Sequence, residues 1–210
     1  KKKKKMVLKI QYPGVADAID SDMRALVRLL KLSRLVPMTE QFNLWLDEVR
    51  EMLQREVDYD LEAHTTRHFR QVLAEDTRFV VPEIVTEYSS HNIMCMTFER
   101  GISVTDPSVL KLSQERRNFI GRAIMELCCR EVFEWNKMQT DPNFGNYLLR
   151  FGDSPENDQI VLLDFGAIRD FDNEVLGPGR EMIRASFHHD GDRLVRALNP
   201  LDFLARGAPR

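Results

Sequence analysis

Gln139-Thr140-Asp141-Pro142-Asn143-Phe144-Gly145-Asn146 is the stretch that decides how the rest of the chain is read. Its Asp and Asn stand five residues apart in a polar loop containing Pro and Gly. Before the loop, residues 113–138 read as one long helix, with Ile120, Ile124, Cys128, Val132 and Trp135 on a single stripe. After it, Tyr147 to Phe151 and Ile160 to Leu163 read as a hairpin around Gly152-Asp153-Ser154-Pro155. The second strand runs into Asp164-Phe165-Gly166, so Asp164 follows Asn146 by eighteen residues. A hard cation such as Mg²⁺ takes oxygen ligands in octahedral geometry, with only one or two carboxylates among them. Asn146 and Asp164 can supply two such oxygens, leaving phosphates and water for the others. Asp141 is then left to orient or deprotonate a nucleophile. Each motif alone reads equally well as a turn, with Asp141-Pro142 starting one and Asp164 capping another. Both together, in this order and spacing, favour the chemical reading.

D-x₄-N followed by D-F-G is the phosphoryl-transfer layout of protein kinases. Working outward from it, Lys9 lies within a short apolar run, Met6 to Gln11, that reads as a strand. An ammonium there must be paired or lie near an edge. Val7-Leu8-Lys9-Ile10 resembles the kinase V-A-I-K strand, whose lysine binds the α- and β-phosphates. Its partner is expected to be a carboxylate on a following helix. Tyr12-Pro13-Gly14-Val15 has the composition of a type II turn, and a helix is expected from Val15 to Leu35. Thr39 to Leu73 reads as a second, longer helix with Phe42, Trp45, Leu46, Val49, Met52 and Leu53 facing inward. The same count continued lands on Glu56, which is therefore the expected partner of Lys9. Phe79 to Val85 and Asn92 to Phe98 read as two strands of a small sheet. Met94, Met96 and Phe98 alternate along the second, which leads into Glu99-Arg100-Gly101. In a kinase-like fold that strand enters the interlobe hinge, where backbone groups meet adenine, so Met96 and Phe98 are expected at the nucleotide. Helical material resumes after Asp172.

Composition limits the alternatives. The chain has 210 residues, 43% hydrophobic and 30% charged, an ordinary globular mixture. Of its 30 basic residues five are the run Lys1 to Lys5, which leaves 25 against 33 acidic ones. The body of the chain is acidic and shows no general bias toward nucleic acid. Lys1 to Lys5 reads as a solvated, disordered or artefactual segment, and residues 6–210 as a single domain. Three cysteines, two of them adjacent, do not make a disulfide framework and point to a reducing compartment. No run of about 18 apolar residues encodes a membrane span. His64 and His68 lie four apart on a helix but lack an evident third ligand, and His188-His189-Asp190 reads as a surface helix end.

Four stretches together resemble the UbiB/AarF-type atypical kinases linked to ubiquinone biosynthesis: Lys9-Ile10-Gln11-Tyr12-Pro13-Gly14; Glu56-Val57-Asp58-Tyr59 with Glu62-Ala63; Gln139 to Asn146; and Leu163-Asp164-Phe165-Gly166-Ala167. The resemblance covers about Val7 to Asp190. In that family Gln-Thr stands where His-Arg usually precedes the catalytic-loop Asp, as here. The activation segment after Asp164 is short and has no A-P-E anchor, which removes the usual platform for a protein substrate. The resemblance implies an α+β, protein-kinase-like fold binding ATP and Mg²⁺. Residues 6–98 would form a truncated small lobe with a small antiparallel sheet, and 99–210 a mainly helical large lobe. It assigns phosphate contact to Lys9, Glu56 to holding Lys9, Asn146 and Asp164 to the metal, and Asp141 to catalysis. The implied activity is ATP turnover or small-molecule phosphotransfer supporting ubiquinone biosynthesis. Lipid precursors or biosynthetic proteins are the implied partners. The implied location is intracellular, cytoplasmic or peripheral to an inner membrane, mitochondrial in a eukaryote. In the family a K-x-G-Q motif and an alanine-rich loop precede the lysine; only eight residues precede Lys9, so a core fragment that binds nucleotide weakly and turns it over slowly or not at all is expected. A non-catalytic nucleotide-binding scaffold is the alternative from another class. An aminoglycoside- or choline-kinase-like phosphotransferase is the rival enzyme, opposed by Gln139-Thr140 and Phe165-Gly166.

Overall fold

The structure is a computed structural model that describes residues 4–33, 37 and 39–198. Expectations for Lys1 to Lys3, and for the first helix beyond Ser33, lie outside the described residues. The chain divides into two compact units, Lys1–Arg117 with Pro142–Ala167, and Asn118–Asp141 with Ile168–Arg210.

The first unit opens with β1 (Met6–Ile10), a turn, and α1 (Val15–Ser33). The turn is of the expected kind: Gly14 has φ 76°, and Val15 N–H donates to Tyr12 O at 3.2 Å. Then comes α2 (Glu40–Glu56), whose N-cap Thr39 accepts from Phe42 N–H, and α3 (Tyr59–Val72). The single helix expected from Thr39 to Leu73 is therefore two. The break is chemical: Asp58 turns its carboxylate back to accept from Leu61 N–H at 2.9 Å, capping α3 instead of continuing α2. The buried face of α3 then runs Tyr59, Glu62, Ala63, Thr66 and Phe69, counted afresh from the cap. On α2 only Leu46 is buried, while Trp45 and Met52, expected inside, are exposed.

The segment Phe79 to Val85 is also divided. Its start, β2 (Phe79–Val80), does not join the strand at 92–98. Buried Pro82 has no N–H to carry a ladder onward. Beyond it, residues 83–85 do pair with that strand, β3 (Ile93–Thr97): Val85 N–H donates to Cys95 O and Thr97 N–H to Glu83 O. β3 also takes β1 antiparallel, with Lys9 opposite Met94. Tyr59, Ala63, Ile84, Met94 and Met96 form the apolar cluster where α3 meets β3.

After β4 (Ile102–Ser103) and α4 (Gln114–Arg130) come β5 (Lys137–Gln139), β6 (Tyr147–Arg150), β7 (Gln159–Leu162) and β8 (Ile168–Asp170). β6 and β7 are the expected hairpin, with Tyr147 opposite Leu162. They extend into a four-stranded sheet ordered β2-β7-β6-β4, in which β2 runs parallel to β7.

In the second unit β5 and β8 pair antiparallel, and α5 (Asn173–Phe187) packs with α6 (Gly191–Leu198). The helix expected to reach Met138 stops earlier: α4 gives way to a π-helical turn, Glu131–Trp135, and Asn136 ends it at φ 54°.

Candidate functional site

The β6–β7 hairpin sets the site's polar end. Asn143 Oδ1 accepts from Gly145 N–H and holds a tight turn, Phe144–Asn146, before β6. Asn146 O then accepts from Leu163 N–H at 3.0 Å. Asn146 and Asp164 thus leave neighbouring strands at the same end of one hairpin. Asp164 is half-buried; its Oδ1 accepts from Gly166 N–H at 2.9 Å. A Cβ at Gly166 would stand 3.3 Å from that oxygen and 3.6 Å from Glu62 Oε2. Gly166 therefore lets the backbone pass between two carboxylates where any side chain would crowd both.

Lys9 joins those carboxylates. Its ammonium donates to Glu62 Oε1 at 2.8 Å and Oε2 at 2.7 Å, and lies 3.5 Å from Asp164 Oδ2. The Tyr59 ring lies 5.2 Å away. The partner of Lys9 is therefore Glu62, and the expectation of Glu56 is corrected. Glu56 is the last residue of α2 and is exposed. The helical count that reached it ran through the Asp58 break, where the phase restarts. Counting i+3 from Tyr59 inside α3 lands on Glu62, so the signal was present in the sequence at the Asp58 cap.

The cluster carries an unbalanced charge. Glu62 is 2% exposed. Burial drives its carboxyl upward, Lys9 pulls it back, and Asp164 and Glu56 push it up again, to about 7. Burial also weighs against the Lys9 ammonium, yet Glu62 and Asp164 prevail and hold its pKa above the usual range. One cation thus faces more negative charge than it neutralises. The folded state holds the Glu62 proton more tightly than the unfolded chain does. The stability this adds is complete below pH 4.5 and is lost as pH rises through 7. That contribution is about 3 kcal/mol across the interval. Glu62→Gln should flatten the dependence of the melting temperature on pH between those limits; an unchanged slope would show that other groups set it.

The cluster leaves room for further positive charge, and a donor set of one carboxylate and one amide oxygen is one that suits Mg²⁺. Among the described residues no group of three or more His, Cys, Asp or Glu is arranged to hold a metal. A site with one carboxylate and one amide oxygen is what Mg²⁺ accepts when phosphates complete its shell. His64 is exposed, and His68 meets Phe69 edge-on.

Other candidate residues take different positions. Met96 is buried beneath α3, and Phe98 just beyond β3 is 45% exposed with the Lys5 ammonium 6.0 Å from its ring. Phe165 stacks on Phe69 of α3 with centroids 5.0 Å apart, so the residue after Asp164 is anchored to the helix that carries Glu62. Asp141 belongs to the second unit; it is exposed, and its N–H donates to Gln139 Oε1 at 3.2 Å. No described helix is long and apolar enough to cross a membrane.

Comparison with known proteins identifies the family. Residues 1–198 match the ABC1 atypical kinase-like domain. The mitochondrial atypical kinase COQ8B of Danio rerio is 38% identical over 205 residues, which is 96% of this chain and 31% of that protein. The mitochondrial atypical kinase COQ8 of Saccharomyces cerevisiae is 38% identical over 179 residues, 85% of this chain and 34% of that protein. Among solved structures, Rv3197 of Mycobacterium tuberculosis, determined with erythromycin, superposes with a TM-score of 0.73 at 25% identity, over 99% of this chain and 51% of the other. The chain spans about a third of the length of these curated relatives. With the kinase-like fold and the D-x₄-N and D-F-G motifs on one chain, this protein belongs to the ABC1 atypical kinase-like family, the UbiB/COQ8 type.

Proposed function

We propose that the chain is the nucleotide-binding core of an atypical kinase of the UbiB type that turns over ATP. The observation that carries this reading is the Lys9 ammonium held between Glu62 and Asp164. Glu62 fixes the lysine, and Lys9 contacts the nucleotide phosphates. Asn146 and Asp164 would hold Mg²⁺, which when bound neutralises phosphate charge. The backbone around Met96 and Phe98 meets the adenine. Asp141 is the catalytic carboxylate, orienting the attacking hydroxyl or water. Its role is support of ubiquinone biosynthesis, by ATP hydrolysis or small-molecule phosphotransfer, with lipid precursors or biosynthetic proteins as partners; the relatives named as mitochondrial atypical kinases of the COQ8 type support the kinase part of this reading. In a eukaryotic cell that role places the protein in the mitochondrion, peripheral to the inner membrane.

The test is steady-state ATP turnover by the unaltered chain with Mg²⁺, with Asp141→Asn as the blank. Turnover at least tenfold above the blank is expected, the scale of a lost general acid–base contribution being about 10²-fold. Binding of nucleotide without turnover above the blank would overturn the enzymatic reading in favour of a scaffold.

A further inference from the structure

Glu131 is a buried carboxylate that the phosphate site does not use. It opens the π-helical turn after α4 and is 6% exposed. Among the described residues no lysine, arginine or histidine forms an ion pair with it. Burial pushes its carboxyl above the usual range, opposed by one backbone N–H, that of Gln139. That N–H donates to Glu131 Oε2 at 3.1 Å. Gln139 passes the connection on: its Oε1 accepts from Asp141 N–H at 3.2 Å. Two hydrogen bonds therefore lead from the buried acid to Asp141, all within one unit.

The frame behind them is fixed. Arg180 of α5 donates through Nε and Nη2 to Val132 O at 2.8 and 2.6 Å, clamping the π turn, and also bonds Asn136 Oδ1. Gln139 stands opposite Ile168 where β5 pairs with β8. A π turn in place of regular α-helix is a local departure that recurs at functional sites. Here it sets Glu131 against the strand that leads into the Asp141 loop.

We propose that Glu131 is a positioning residue for Asp141. Its carboxylate fixes the Gln139 amide, and the Gln139 side chain fixes the Asp141 amide, so the loop presents Asp141 in one geometry. The functional consequence rests on the assignment of Asp141 as the catalytic carboxylate; the hydrogen-bonded brace does not.

Glu131→Ala and the near-isosteric Glu131→Gln, which keeps an acceptor oxygen, separate the possibilities in the full chain. Amide hydrogen exchange at Gln139 and Asp141 reads the brace without requiring turnover. Exchange should quicken about tenfold or more in Glu131→Ala and stay near the parent in Glu131→Gln, since opening free energies set exchange. In ATP turnover, Glu131→Ala should lower kcat at least about tenfold with KM for ATP within about twofold, since small misplacement of a reacting group costs up to about 10²-fold. Glu131→Gln should restore most of kcat. Unchanged exchange in Glu131→Ala overturns the brace, and Glu131→Gln as impaired as Glu131→Ala in both readouts overturns the acceptor role. Faster exchange with unaltered kcat overturns the positioning role. Full turnover by Asp141→Asn refutes the assignment of Asp141 and leaves the brace to be judged by exchange alone.

Discussion

Asp164→Asn should lower ATP turnover by about 10²–10³-fold, the scale of losing one preorganised electrostatic contact at a transferring group. Asp164 has two relations that the amide does not reproduce. It gives the site a charged oxygen donor at the end of the β6–β7 hairpin, and it lies 3.5 Å from the Lys9 ammonium. The same substitution should not destabilise the free protein. Asp164 is one of the groups pushing the Glu62 carboxyl up to about 7, so removing its charge relieves that repulsion, which offsets the lost attraction to the part-exposed Lys9 ammonium 3.5 Å away. The expected signature is lost activity with a melting temperature equal to or above that of the parent at pH 7. Lost activity with an equally large loss of stability would instead mean that Asp164 holds the fold, and that its place beside Lys9 is incidental.

The largest expected effect on stability lies elsewhere in the first unit, in the connection that closes the β6–β7 hairpin. Asp158 is 2% exposed. Its Oδ1 receives Arg116 Nη1 at 2.6 Å and Gly152 N–H at 3.0 Å. Arg116 also donates to Gly152 O at 3.0 Å, and its guanidinium lies 5.6 Å from the Phe151 ring. Gly152 is required there, because a Cβ would stand 2.5 Å from Asn157 Cβ. Arg116→Ala strips the counter-charge from a carboxylate that has no access to water. Breaking a buried pair from one side costs about 3–5 kcal/mol. At roughly 2–4 °C per kcal/mol for a chain of this size, the melting temperature should fall by about 10 °C. The double replacement Arg116→Leu with Asp158→Leu should recover most of the loss, since apolar replacements leave no orphaned charge. A loss below about 1 kcal/mol in Arg116→Ala would show that the Arg116–Asp158 pair does not hold this connection together.

What could be read in the sequence was what lies close together along the chain. The turn at Tyr12-Pro13-Gly14-Val15 and the β6–β7 hairpin are set by local backbone chemistry, and both are present as expected. D-x₄-N and D-F-G are local motifs, and the hairpin between them brings Asn146 beside Leu163. The Lys9 partner spans 53 residues and depends on helical phase. One side chain, Asp58, resets that phase by capping a new helix, and the error from Glu56 to Glu62 follows from that bond alone. Pro82 likewise splits an apparently continuous strand, because each half finds a different neighbour. The end of α4 was hidden for another reason. The apolar stripe through Val132 and Trp135 continues at nearly helical spacing, and a π turn alters the hydrogen bonding without erasing that pattern.

Calorimetric titration of the unaltered chain with ATP, at saturating Mg²⁺ and again in a chelator, tests most directly whether Lys9, Glu62 and Asp164 form a metal–nucleotide site. The cluster is short of positive charge, so ATP should bind at least about tenfold more tightly with Mg²⁺, and Asp164→Asn should erase the difference. Equal affinity with and without the metal, or a magnesium dependence that survives Asp164→Asn unchanged, would contradict it.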